Sequence, residues 1–134
     1  MAQTTTYAYG LGRRKSATAR ARLFSSGKGE ITINNKPSAS YFCDNEQMAE
    51  ELLKPLQLIG KDKDFHITLL VSGGGLSGQV DACRLAISKA LSTANSDLRT
   101  TLKKAGFLGR DPREKESKKY GLRKARKREQ YSKR

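Results

Sequence analysis

The sequence predicts an α+β domain, a two-layer α/β sandwich in which a mixed sheet of about four strands carries helices on one face. Three observations lead to this prediction. Residues 16–23 alternate between apolar and polar side chains, an apolar run at 65–72 leads through a glycine-rich loop into an amphipathic helix, and the last 26 residues have no apolar stripe. With 134 residues, the chain has the length of one small domain. We therefore expect a globular part at 1–108 and an extended basic tail at 109–134.

The first strands are predicted from a period of two. Between residues 16 and 23, the apolar side chains fall on one face and Arg20 and Arg22 fall on the other, as in a half-buried strand. A turn at 25–29 leads into a second strand at 30–34. Upstream, residues 4–9 could pair with the same strand through a glycine-broken basic loop at 10–15. These elements predict a small antiparallel meander early in the chain.

The helices follow from apolar periodicity and from stop signals. Residues 46–54 predict a short helix that ends before Pro55. The run at 65–72 is the most apolar strand, and we expect it to be central. After the glycine-rich loop at 73–79, a strong helix is expected to bury Val80, Cys83, Ile87 and their neighbours. A last helix is predicted from about residue 98 to 105, with Asp97 as its cap and Gly106 as its end.

The charge is segregated along the chain. Residues 1–29 carry six Lys or Arg and no acid, residues 30–108 carry nine of each sign, and residues 109–134 carry twelve Lys or Arg against four acids. A segment this charged cannot offset its ordering entropy by burial, but it can become ordered by neutralising a polyanion. Nucleic acid is the first candidate, because Lys and Arg displace the counterions of its phosphates. A solvated tail that merely aids solubility is the alternative.

Two further features are candidate RNA contacts. The loop at 73–79 lies between a strand and a helix, where backbone N–H groups can hold an anion, yet it lacks the spacing of a nucleotide-binding motif. It is either a phosphate site or a tight turn. A second cluster joins Arg13, Arg14 and Lys15 to Arg20 and Arg22 without any acid, and arginine forks suit phosphate oxygens. The tyrosines at 7, 9 and 41 could stack on bases or could simply pack.

Other function classes find little support in the sequence. Cys43 and Cys83 match no ligand spacing, and we expect both to be reduced packing residues in a cytoplasmic protein. The single histidine, His66, falls in a strand and is expected to be structural or at an edge. A small-molecule kinase would need carboxylates in a cleft, and no recognisable catalytic pattern surrounds Asp62, Asp64 or Asp81. We therefore expect no enzyme activity, no cofactor, no metal and no membrane partner.

Four segments resemble one known family, in the family's order. They are GRRKSATARARL at 12–23, ITINNKPSASYF at 31–42, SGGGLSGQVDACRLAISKAL at 72–91, and the whole stretch from 103 to 134. Together they are similar to the bacterial small-subunit ribosomal protein S-nine family. The resemblance implies a fold like the second domain of ribosomal protein S-five. It also implies a ribosome-bound structural protein that binds rRNA in the head of the small subunit, beside neighbouring ribosomal proteins.

The resemblance further implies that the tail end approaches tRNA in the peptidyl site, which makes Ser132, Lys133 and Arg134 the tRNA-proximal residues. A fully extended stretch of ten residues spans about 33–36 Å, so the tail could reach a site remote from the body. A free RNA chaperone or regulator would share the charge pattern and stays the alternative. The residues predicted to bind RNA are Arg13, Arg14, Lys15, Arg20, Arg22, Gly74, Gly75, Gln79, Arg110, Arg113, Lys118, Lys119, Arg123, Lys124, Arg126, Lys127 and Arg128.

Overall fold

A computed structural model describes residues 6–134 and shows one mixed sheet with helices packed on it. The strands are β1 (Ala8–Arg14), β2 (Ala17–Phe24), β3 (Ile31–Ile33), β4 (Lys36–Pro37) and β5 (His66–Ser72). The helices are α1 (Ser38–Tyr41), α2 (Glu46–Ile59), α3 (Leu76–Ala94) and α4 (Leu98–Lys104). The predicted α+β class is confirmed. The sheet has five strands rather than about four, because the two-residue strand β4 extends it at one edge.

The strand order is β1-β2-β5-β3-β4, which places β5 at the centre as predicted. β5 runs antiparallel to β2 and parallel to β3. The predicted pairing of β2 with the strand before it is confirmed, since β1 and β2 are antiparallel. The continuation of the meander to β3 is wrong, since β5 separates β2 from β3. The physical reason is burial. The side chains of Ile67 and Leu69 are fully buried in the core, and the central position gives the backbone of β5 a hydrogen-bonded strand on each side.

The predicted basic loop at 10–15 is also wrong, because residues up to Arg14 continue β1 and only Lys15 and Ser16 form the turn into β2. The glycines that suggested a loop serve packing instead. A Cβ atom on Gly10 would lie 2.1 Å from the carbonyl oxygen of Ala86, and one on Gly12 would lie 1.9 Å from that of Ala82. Glycine lets α3 approach the backbone of β1 this closely. Part of the strand expected at 4–9 lies outside the described residues.

The core lies between the sheet and α3. β2 contributes Ala17, Ala19, Ala21 and Leu23 to it, which confirms the predicted apolar face of that strand. The predicted buried face of α3 is confirmed as well, since Val80, Cys83, Ile87, Ala90 and Leu91 are buried. Small alanines on both layers bring helix and sheet close together. The opposite side of the sheet is left open and is described below.

The helix predicted at 46–54 does not end before Pro55. α2 continues to Ile59, and its C-cap Gly60 has a left-handed φ of 71°. Proline has no N–H for the carbonyl of Glu51, which costs one hydrogen bond. Continuing the helix nevertheless buries Leu56 together with the proline ring, and this burial offsets the lost bond.

Two smaller expectations are corrected at the ends of elements. Asp97 does not cap α4 with its side chain; its own backbone N–H donates to Oδ1 of Asn95 over 3.1 Å. Cys43 is not a packing residue, because it is exposed in a turn with a φ of 55°, whereas Cys83 is fully buried. Gly106 follows α4 with a φ of 80°, as its predicted role as a helix stop requires. Within residues 6–134, no helix is long and apolar enough to cross a membrane.

Candidate nucleic-acid interface

Within residues 6–134, no helix packs on one side of the sheet, and we call that side the open sheet face. It is formed by the side chains that alternate with the buried ones along β1, β2 and β5. Its basic members are Arg13, Arg20 and Arg22, all exposed. None of the strand residues in the described part of the chain is acidic. The residues of the open sheet face are Tyr9, Leu11, Arg13, Thr18, Arg20, Arg22, Phe24, His66, Thr68, Leu70 and Ser72.

An aromatic row crosses one end of this face. The ring of Tyr7, just before β1, lies 5.7 Å from that of Phe24, and Phe24 lies 5.9 Å from the ring of His66. The guanidinium of Arg22 lies 5.4 Å from the centroid of Tyr7, within the range of a cation–π contact. His66 is half-buried in the central strand β5, so it is a structural residue of that strand and does not lie at an edge.

The glycine-rich loop is shaped by a close approach to the β1–β2 turn. Gly73 and Gly74 have φ values of 74° and 65°, and a Cβ on Gly73 would lie 2.6 Å from the carbonyl oxygen of Ser16. These two glycines are therefore required by the backbone itself. Gly75 is the exposed N-cap of α3, so the loop predicted at 73–79 is shorter than expected and residues 76–79 form the first turn of the helix. Lys15 lies beside the same end of α3, since its side chain is near Gly78.

Gln79 holds this loop from inside. Its amide nitrogen donates to the carbonyl oxygen of Gly73 over 3.0 Å, and its amide oxygen accepts a hydrogen bond of 2.9 Å from the hydroxyl of Tyr41. The side chain is buried, so it fixes the shape of the loop. Of the residues predicted in this region, Lys15, Gly74 and Gly75 face solvent, whereas Gln79 faces the protein. Direct RNA contact by each of them stays a prediction.

Arg14 connects the body to the start of the tail. Its guanidinium lies 3.5 Å from the carboxylate of Asp81 and 3.2 Å from that of Asp111, and it donates a hydrogen bond of 2.6 Å to the carbonyl oxygen of Arg113. Its side chain is 13% exposed. The structure thus places Arg14 in an internal network, away from the exposed cations with which the sequence grouped it.

The same network continues through Arg84 and the tail. Arg84 contacts Asp81 at 3.4 Å and Glu51 at 2.8 Å. Arg113 forms a bidentate pair with Asp111, and its hydrogen bonds hold the pKa of the Asp111 carboxyl well below its usual range. On α2, the hydrogen bond from Lys54 lowers the pKa of Glu51, helped by Arg84. Asp81, one of three carboxylates considered for catalysis, is therefore engaged in ion pairs.

The tail residues predicted to bind RNA lie on the surface. Arg110 contacts Glu114 at 3.7 Å, Arg126 contacts Glu116 at 3.0 Å, and Lys119 contacts the hydroxyl of Ser117. A turn at Gly121 is closed by a hydrogen bond of 3.3 Å from the N–H of Leu122 to the carbonyl of Lys119, and the N–H of Arg123 donates to the carbonyl of Lys127 over 2.8 Å. The other predicted cations and the three tRNA-proximal residues are exposed: Lys118, Lys124, Arg128, Ser132, Lys133 and Arg134.

Sequence reasoning missed two parts of this surface. It did not assign Phe24 and His66 to a common row. Each lies on the open sheet face by the period of two of its own strand, but only the pairing of β2 with β5 brings them side by side. It also missed Arg84, which pairs with Asp81 on α3 and with Glu51 on α2. The Asp81 pair is a local i,i+3 contact that the sequence could have suggested, whereas the contact with Glu51 depends on the packing of α2 against α3.

Comparison with known proteins bears on what this surface is for. A profile of the family described as "Ribosomal protein S9/S16" matches residues 12–134. This chain belongs to that family.

Individual relatives of the S9/S16 family resemble the chain over nearly its whole length. The small ribosomal subunit protein uS9c of Emiliania huxleyi is 47% identical over 124 residues, which cover 92% of this chain and 94% of the relative. The uS9 protein of Crocosphaera subtropica is 48% identical over 126 residues, covering 94% and 91%. The uS9c protein of Gracilaria tenuistipitata is 49% identical over 125 residues, covering 93% and 90%. The S9/S16 match therefore includes both the body and the basic tail, as the resemblance of the four segments implies.

Proposed function

We propose that this S9/S16 family member is a structural component of the small ribosomal subunit that binds ribosomal RNA in the subunit head. Its partners there are rRNA and neighbouring ribosomal proteins, and its place in the cell is on the ribosome. The observation that carries the proposal is the distribution of charge over the fold. The folded body between residues 30 and 108 has no net charge, whereas the exposed tail and the strands β1 and β2 carry the excess of cations.

This distribution gives the cations and the folded body different roles in RNA binding. Contacts between cations and phosphates supply affinity without sequence preference, and the rigid body sets where those contacts begin. The Arg14 network supports this, because it ties the first residues of the tail to β1 and α3. The exposed cations after Arg113 then extend away from a fixed starting point.

The end of the tail is proposed to reach tRNA in the peptidyl site. Ser132, Lys133 and Arg134 are exposed and are the residues furthest along the chain from the docked segment. The guanidinium of Arg134 would bind a phosphate through its fork, and Lys133 would act as a compact charge. Losing both charges should cost on the order of 1–3 kcal/mol of tRNA binding, as for charge-assisted hydrogen bonds.

Sedimentation tests the ribosomal role. The full chain should run with the small subunit in a gradient, in constant proportion to it, at low and at moderately high salt. A free RNA chaperone or regulator would instead remain in the soluble fractions at the top or would spread over many RNA species. Recovery in those fractions alone would overturn the proposal.

Paired substitutions test the tail end. Small subunits carrying the Lys133→Gln and Arg134→Gln changes should assemble normally and bind peptidyl-site tRNA more weakly than the wild type at one fixed salt concentration. The matched control is Lys61→Gln with Lys63→Gln, which removes two exposed cations from the body. Equal tRNA affinity in both variants would contradict the tRNA contact, and failure to assemble would assign the tail end to assembly instead.

A further inference from the structure

We infer that an unpaired stretch of RNA lies across the open sheet face, with bases stacked on Tyr7 and Tyr9 and phosphates bound by Arg20 and Arg22. The inference rests on the proposed function, because it names how the body takes part in RNA binding. It concerns a surface separate from the tail. Three features of the described residues lead to it, namely exposed rings, unpaired positive charge and the spacing of the two kinds of side chain.

The aromatic side chains on this face are exposed beyond what packing needs. Tyr7 is 45% exposed and Tyr9 46%, whereas Gly10 and Gly12 on the other face of β1 are buried. Tyr7 is held in place by Phe24 and by the guanidinium of Arg22, so its ring is already oriented before any ligand binds. Leu70 adds an exposed apolar side chain in the central strand. A ring that is oriented in advance and nearly half exposed is a suitable platform for a base.

The charge of the face selects a polyanion. Arg20 and Arg22 alternate along β2 and project from the same side, and Arg13 projects from β1 beside them. The strands contain no acid that could neutralise these cations, and neither Arg20 nor Arg22 forms an ion pair within the described part of the chain. Such a face on a protein that works alone would repel itself.

The strand register intermixes rings and cations instead of separating them. Tyr9 is paired with Arg22 across β1 and β2, and Leu11 is paired with Arg20. Neighbouring strands are about 4.8 Å apart, so Arg22 lies beside an aromatic side chain and Arg20 beside an apolar one. A nucleotide presents the same combination at a similar distance, a flat base beside a charged phosphate. An acidic protein surface would satisfy the arginines but would leave the exposed rings without a planar partner.

The exposed rings of the face favour unpaired RNA over a duplex. In an A-form duplex the bases are stacked on one another, so their flat faces are closed to aromatic side chains. Aromatic side chains reach bases only where these are splayed out, as in loops, bulges and single strands. The exposed tyrosines can therefore stack on the bases of an unpaired strand but not on those of a duplex.

The test compares conservative variants of the full chain on two RNA probes. One probe is a single-stranded oligonucleotide of about 12 nucleotides, within the range that such surfaces cover, and the other is a duplex of the same length. Tyr7→Leu with Tyr9→Leu should weaken binding to the single strand roughly 5- to 150-fold per base stack lost, which converts 1–3 kcal/mol per stack at 1.4 kcal/mol per tenfold. Binding to the duplex should change little. Tyr9→Phe keeps the ring and should bind like the wild type.

The arginine variants should differ from the tyrosine variants in how their RNA affinity depends on salt. Arg20→Ala with Arg22→Ala should flatten the plot of log affinity against log salt by about 0.7 for each lost contact with a single strand. The tyrosine variants should leave that slope unchanged, because stacking releases no counterions. Matched controls are Arg99→Ala, an exposed cation on α4, and Leu58→Ala, an exposed apolar residue on α2. Circular dichroism on every variant checks that the body is folded.

The outcomes separate this inference from the proposed function. If the wild-type chain fails to sediment with the small subunit, the proposed function fails. If it sediments there but the folded leucine variants bind the single strand as the wild type does, the inference alone is overturned. The leucine variants could also keep their RNA affinity but lose a crosslink that the wild type forms to a neighbouring ribosomal protein. That result would likewise overturn the inference, because it would show that a protein covers the face.

Discussion

The guanidinium of Arg14 and the carboxylate of Asp111 lie 3.2 Å apart, and this contact joins the first strand of the body to the beginning of the tail. Arg14 at the same time contacts Asp81 on α3, so one side chain links three parts of the chain. The planar fork of arginine can serve several acceptors at fixed angles. The tail therefore leaves the body in a defined direction.

Arg14→Lys should loosen this junction while leaving the body folded. Arg14 reaches Asp81, Asp111 and the Arg113 carbonyl from three separate nitrogens, and lysine keeps the charge but has a single nitrogen that cannot span those three positions. Hydrogen exchange at residues 111–114 should become faster, and the melting temperature should change little. Arg110→Gln removes another cation of the same region and serves as the control, since Arg110 contacts only the tail residue Glu114 among the ion pairs described. Unchanged exchange in Arg14→Lys would show that the junction is held by other contacts.

Alanine at Gly10 or Gly12 should be strongly destabilising. The added Cβ would lie 2.1 Å or 1.9 Å from a backbone carbonyl oxygen of α3, and a helix backbone cannot yield as a side chain can. We expect each substitution to lower the free energy of unfolding by about 3 kcal/mol or more, at the upper end of the cost of overpacking. Chemical denaturation measures this. Gly109→Ala, where a Cβ meets no atom within 4 Å, should be close to neutral. A small effect at Gly10 and Gly12 would mean that α3 can shift outward.

The two thiols should differ in reactivity. Cys43 is exposed and should react with a thiol reagent in the native protein, whereas Cys83 should react only after unfolding. Burial raises the pKa of the Cys83 thiol from 9.0 to about 12. The unfolded chain would therefore ionise first, so this group's contribution to stability is complete below pH 9 and is lost as the pH rises from 9 toward 12. In a Cys43→Ser variant, any labelling under native conditions would contradict the burial of Cys83.

The parts of the fold that follow from local pattern were predictable from sequence. The apolar alternation of β2, the central place of β5 and the buried stripe of α3 each depend on residues near one another in the chain. The errors arose where distant packing outweighed a local signal. Gly10 and Gly12 suggested a loop, but α3 needs them in a strand, and Pro55 suggested a helix end, but the burial of Leu56 carries the helix past it.

The candidate interface divides in the same way. Arg20 and Arg22 could be assigned to one exposed face because a strand has a period of two. Arg14 could not be separated from its neighbours by sequence, since its partners Asp81 and Asp111 lie far along the chain. The row of Tyr7, Phe24 and His66 likewise needs the register of three segments. The segregation of charge was visible in the sequence. The fold was needed to tell the cations held in ion pairs, such as Arg14, from the exposed ones, such as Arg20 and Arg22.

The tail should be unprotected in the isolated chain and become ordered on RNA. The amides of α3 lie in a helix packed on the sheet, whereas residues 115–134 are nearly all exposed and have few backbone hydrogen bonds, such as that from Arg123 to Lys127. Hydrogen exchange should therefore be slow at residues 80–91 and fast at 115–134. Adding small-subunit rRNA at low salt should slow exchange in the tail, and raising the salt should reverse this, because the ordering energy comes from phosphate contacts. A polyanion without bases, such as polyphosphate, is the control that separates general charge neutralisation from recognition of RNA. Tail protection equal to that of α3 without RNA would contradict the prediction, since it would mean that the body alone orders the tail.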